Sequence, residues 1–165
     1  MKNDHTPRFF ESAEALHATG EAMLAGTLPK TSWTHEAHLA VCLWLILERP
    51  DIEVDREIGA IIRRYNRSVG VPNDATQGYH ETITRAFLAG ARSYLARAKP
   101  DSLLAAVNGL LVAPEGARDW PLRCWSRERL FSVQARLDYC PPDLAPPELA
   151  RLTPYLPGNS MPPDQ

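Results

Sequence analysis

The chain has 165 residues, of which 44% are hydrophobic and 23% charged, with a formal net charge of −2. That length and apolar content predict one domain around one sizeable core, and the near-neutral charge gives no general attraction to nucleic acid or anionic lipid. The first residues lack an apolar leader core, and the longest apolar run, Leu39 to Leu47, falls far below the roughly 20 residues a bilayer requires, so a soluble cytoplasmic protein is expected, without nucleic-acid or membrane partners.

Helical spacing with start and stop signals recurs along the chain, and no strict polar/apolar alternation marks a strand. The expectation is therefore an all-α fold, a single-domain irregular bundle of five to six helices over residues 1–140, with a Pro-rich extended tail over 141–165. A first helix is predicted over Glu11 to Ala25, stopped by Gly26. The second runs from about Thr34 to Glu48, with Thr34 or Ser32 as its cap, and is closed by Pro50. The third fits "DREIGAIIRRYNRSVG", where Ile58, Ile61, Ile62 and Tyr65 recur at the three-and-four spacing and Arg63, Arg64 and Arg67 lie elsewhere on the wheel.

After the loop "VPNDATQG", a fourth helix is predicted from about Tyr79 to Arg97, ended by Pro100. Asp101 and Ser102 are good caps for a fifth, carrying Leu103, Leu104, Val107, Leu110 and Leu111. "LRCWSRERLFSVQARLDY" reads as one or two short helices, with Ser126 or Ser132 as a cap. Eight prolines in the last 25 residues then argue against regular helix and for a chain extended over the surface.

Three cysteines, Cys42, Cys124 and Cys140, without a C-x-x-C pair, speak against a disulfide framework and a thiolate zinc site. The chemistry-bearing residues are instead histidines. In "WTHEAHLAVCLWLIL", His35 and His38 lie roughly 60° apart around the helix and about 4.5 Å apart along it, so both can address one site. His80, in "GYHETITRAF", shares a helical face with Ile83, Thr84 and Phe87 and is expected to point inward. His5 and His17 have no such company.

Three neutral imidazoles beside a carboxylate suit zinc, iron, manganese or nickel, and a cleft between helices can leave a coordination position open. His35, His38 and His80 are the candidate ligands of such a divalent metal ion, with Glu81 or Glu36 as fourth ligand or general base. A bound ion would lower the pKa of its water and permit hydrolysis, and iron would open oxygen chemistry. Arg85, Arg127 and Arg129 are candidate clamps for an anionic small molecule, because a planar guanidinium grips a carboxylate with two bonds; Tyr79 is a further substrate-binding candidate. The competing reading is structural. Histidines cap and pack helix ends, acidic residues in a first turn complement the helix dipole, and surface arginines pair with Glu128 and Asp138.

The segments "WTHEAHL" (33–39), "YHETIT" (79–84) and "SRERL" (126–130) resemble those of a family of small uncharacterised bacterial proteins. That family carries an aromatic-Thr/Asn-His-x-Ala-His-Leu segment, a Tyr-His-Glu-Thr-Ile-Thr segment about forty residues later and a Ser-Arg-Glu-Arg-Leu segment near the C-terminus. The resemblance spans Trp33 to about Leu144. It implies a helical fold and marks His35, His38, Tyr79, His80, Glu81, Thr82, Arg127 and Arg129, but it supplies no reaction. Two functions follow: a metal-dependent small-molecule hydrolase or oxygenase, or a non-catalytic helical module that binds a ligand or partner around a structural His/Glu cluster. Oligomeric state is left open.

Overall fold

The computed structural model describes residues 6–158, which form eight α-helices and short 3₁₀ turns, with no strand among the described residues. The helices are α1 (Ala13–Ala25), α2 (His35–Glu48), α3 (Val54–Ser68), α4 (Glu81–Ala98), α5 (Leu103–Val112), α6 (Arg127–Leu130), α7 (Val133–Leu137) and α8 (Leu149–Leu152). The all-α expectation is met, and no helix among the described residues is long and apolar enough to cross a membrane.

Short polar side chains start most of these helices. Ser12, Thr34, Ser102, Ser126 and Ser132 each accept a hydrogen bond from the backbone N–H three residues on, which satisfies one of the donors that a helix start leaves unpaired. α3 and α8 have no side-chain cap, and α4 has an unusual one. Its N-cap is His80, whose ring accepts from the Ile83 N–H at 3.1 Å. The helix therefore begins two residues later than predicted, and His80 is buried, as expected, but as the cap and not as a residue of the helix.

α2 is apolar nearly all round, with Leu39, Val41, Leu43, Trp44 and Leu45 all buried, so it can be satisfied only at the centre of the bundle. α1, α3, α5 and one face of α4 enclose it in a main core that includes Leu16, Met23, Ile58, Tyr65, Leu88, Val107 and Leu110. Gly20 allows the α1–α2 contact, since a Cβ there would lie 2.3 Å from the Trp44 ring.

The other face of α4 carries small residues, Ala86, Ala89, Gly90 and Ser93, spaced by three and four. Bulky groups from later in the chain approach this face and build a second core from Trp120, Trp125, Leu130, Leu152 and Leu156. α4 is thus the wall between two cores, and Phe87 packs against both.

The C-terminal segment departs from the extended tail expected of it. Residues 139–146 do run without a regular element, but α8 and a 3₁₀ turn at Thr153–Tyr155 follow, and Leu152 and Leu156 are buried in the second core. Two apolar residues outweighed the proline density, because their burial stabilises a single helical turn. The last seven positions of the predicted tail lie outside the described residues, as does His5.

Candidate functional site

Two of the three motif segments, 79–84 and 126–130, are joined through a backbone hydrogen bond. His80, 8% exposed, donates from Nε2 to the Leu130 carbonyl at 2.9 Å while its Nδ1 receives the Ile83 N–H. A carbonyl only accepts, so the proton sits on Nε2 and both ring nitrogens are occupied. Burial lowers the His80 pKa; the Leu130 carbonyl opposes this and the Arg136 charge reinforces it. Next to it the wholly buried Thr82 hydroxyl donates to the Asp138 carbonyl at 3.1 Å and accepts the Cys140 N–H at 3.0 Å, and Arg136 Nη1 donates to the Gly78 carbonyl at 3.0 Å. "YHETIT" is therefore a clasp that holds residues 130–140 against the start of α4.

His35 donates from Nε2 to the Gly116 carbonyl at 2.7 Å and meets the Phe87 ring edge-on at 5.5 Å. His38 donates from Nδ1 to the Thr34 carbonyl at 2.7 Å and lies on the Trp33 ring, centroids 3.8 Å apart. With the proton on Nδ1, Nε2 of His38 carries a lone pair. The ring is wedged among protein atoms, and this burial lowers its pKa to about 4, against the opposing pull of the Thr34 carbonyl and with help from neighbouring His35. Part of the residue remains exposed to solvent, and the imidazole is neutral at pH 7 and able to accept.

The set proposed as metal ligands is not gathered. Both nitrogens of His80 are spent on backbone, and no group of three or more His, Cys, Asp or Glu side chains among the described residues is arranged to hold an ion. Glu36, 5% exposed, lies in the first turn of α2 with Arg118 Nη2 at 4.0 Å. Glu81 accepts from the Tyr79 hydroxyl at 2.6 Å and from Arg85 Nε at 2.8 Å, and Arg85 also donates to the Asp55 carbonyl at 2.5 Å. Tyr79 is pushed up by burial and by its bond to the Glu81 carboxylate, so it remains a donor. Arg127 lies over the Phe131 ring at 5.4 Å, and Arg129 Nε donates to the Pro141 carbonyl at 2.6 Å, so neither stands beside His35 and His38 as a clamp.

What the sequence reading missed is an apolar crevice of about 60 Å³ between α2, α3 and α4. Trp33, His38 and Cys42 form one wall, Ile58 and Ile62 another, Thr84 and Phe87 the third. The lining is almost wholly apolar, with His38, Thr84 and Cys42 among its residues. Tyr79, Glu81 and Arg85 form a hydrogen-bonded network at the start of α4, the helix that also carries Thr84 of the crevice. Burial pushes the Cys42 thiol up to about 12, so it is protonated and not a nucleophile at neutral pH.

His17, expected to stand alone, has a companion in Glu48 at 2.6 Å. Asn66 and Asn108 are tethers: Asn66 holds Asn73, which accepts the Tyr79 N–H, and Asn108 makes a two-way bond with the Phe10 backbone.

Comparison of the chain with protein-family models, with curated proteins and with solved structures gives no match.

Proposed function

We propose that the chain is a non-catalytic helical module that binds a small molecule in the crevice between α2, α3 and α4, and that its His/Glu clusters are framework. The observation that carries this reading is the crevice itself: an apolar space walled by His38, a neutral imidazole whose tautomer is fixed by the Thr34 carbonyl and whose Nε2 can accept. An apolar cavity of roughly 150 Å³ holds benzene. At about 60 Å³ the crevice suits a group of three or four carbons, the branched end of a small molecule that also offers a hydroxyl or N–H to His38.

Isobutanol is such a probe. Titrated into ¹⁵N-labelled protein, it is expected to shift the amides of Cys42, Thr84 and Phe87 saturably, and Cys42→Leu, which fills the space, is expected to abolish the response. Elemental analysis of untagged protein supplies the opposing outcome. One equivalent of metal per chain, lost in His35→Ala and His38→Ala, would replace this reading with the metal-dependent one.

A further inference from the structure

A second cleft, of about 320 Å³, opens on the far side of α4 from the crevice, where α4, the turn at Pro114–Gly116, the turn at Trp120–Arg123 and α8 converge. Its wall carries three guanidinium groups, Arg97, Arg123 and Arg151, with Ser93 and Trp120. Two carboxylates are present, and each is already committed. Glu115, 5% exposed, takes both terminal nitrogens of Arg97, and Glu148 takes Arg123 Nη1 at 3.1 Å. Burial alone would raise the Glu115 pKa, but the bonds from Arg97, and lesser contributions that include the Arg151 charge, hold it below its ordinary value, so it stays ionised and fixes Arg97 in place.

Most of the remaining inventory donates. The Arg151 side chain makes no hydrogen bond or ion pair among the described residues. Arg123 has unspent N–H groups beyond its one bond to Glu148. The Trp120 indole N–H is buried, in a residue 3% exposed, and has no partner; it lies so close to α4 that a Cβ on Gly90 would be 2.7 Å from it. The spare N–H groups of Arg123 and Arg151 call for acceptors. The charge of the cleft points the same way, three cations against two anions.

We propose that this cleft is an oxyanion site for a phosphate group. Three guanidiniums reach it from three separate stretches of chain, which suits a tetrahedral anion with several acceptor oxygens better than a planar carboxylate with two. Because Arg97 belongs to α4, Arg123 to the 120–123 turn and Arg151 to α8, the bound anion ties the C-terminal segment to the centre of the fold. The site is separate from the crevice and stands whether or not that reading holds.

The test is isothermal titration of the full chain with inorganic phosphate and, separately, with acetate at the same ionic strength. Phosphate is expected to bind once per chain with a Kd of about a millimolar or tighter, the range open to a ligand of its size, and acetate at least about tenfold more weakly. Arg151→Gln, on an exposed side chain with no bond to lose, is expected to weaken phosphate at least about tenfold with an unchanged circular dichroism spectrum. Phosphate is also expected to shift one indole N–H resonance, the one missing in Trp120→Phe. Absence of saturable phosphate binding, acetate binding as tight as phosphate, or phosphate binding indifferent to Arg151→Gln would overturn the proposal.

Discussion

The starts of α2 and α4 carry similar-looking polar clusters, yet their histidines do opposite work. His80 is enclosed and saturated: one nitrogen caps a helix and the other grips the Leu130 carbonyl, fifty residues away in sequence. His38 spends one nitrogen on its own turn of helix and lies against Trp33, and the residue forms part of the wall of a crevice. The difference lies in what surrounds each ring. A histidine flanked by backbone from a distant segment becomes a structural bolt, whereas one flanked by side chains around a gap remains able to meet a ligand.

The contrast can be broken most forcefully at His80. His80→Ala removes a helix cap and strands the Leu130 carbonyl in a buried setting, and is expected to lower unfolding free energy by about 2–4 kcal/mol in urea titrations. Thr82→Val keeps shape but deletes the hydroxyl between Asp138 and Cys140, for an expected loss of about 1–3 kcal/mol, read by the same titration. His38→Ala, at a residue with an exposed edge and a bond only within its own helix turn, is expected to stay within about 1 kcal/mol of the parent, while abolishing the isobutanol response.

Acid sharpens the same comparison with a smaller effect. Both imidazoles are harder to protonate in the folded chain than in the unfolded one, so the stability they contribute is complete above the unfolded value near 6.5 and is lost as pH falls, for His38 toward about 4. Urea midpoints measured from pH 7.5 down to pH 4.5 should fall, and the fall should be shallower in His38→Gln than in the parent.

Much of the fold was legible because it rests on local chemistry. Thr34, Ser102, Ser126 and Ser132 cap helices as their residue types foretell, and the Ile58–Ile61–Tyr65 stripe faces the core. The boundary of α4 failed for a definite reason: His80 acts as a cap, a role that residue lists give to serine and aspartate, and a helical wheel then assigned it a face it does not have. α8 was hidden by the surrounding prolines, although Leu152 and Leu156 supply the apolar pair that docks it.

The site was harder to read. The i, i+4 spacing of Glu81 and Arg85 foretold their pairing, but not that the Tyr79 hydroxyl joins it. Whether a histidine nitrogen is free depends on which carbonyl comes to lie beside it, and Leu130 and Gly116 reach His80 and His35 only through the tertiary fold. The crevice is likewise the product of three helices that leave a gap at their junction, and no spacing along a single helix announces it.

The account turns on the protonation and accessibility of two imidazoles, and long-range ¹H–¹⁵N spectra of the histidine rings, recorded at pH 7 with and without isobutanol, read both. The expectation is His38 with its proton on Nδ1 and an Nε2 resonance that moves on addition of the probe, and His80 with its proton on Nε2 and no response. A His80 ring that moves with the probe, a His38 ring that ignores it, or protons placed the other way round would contradict the division of labour described above.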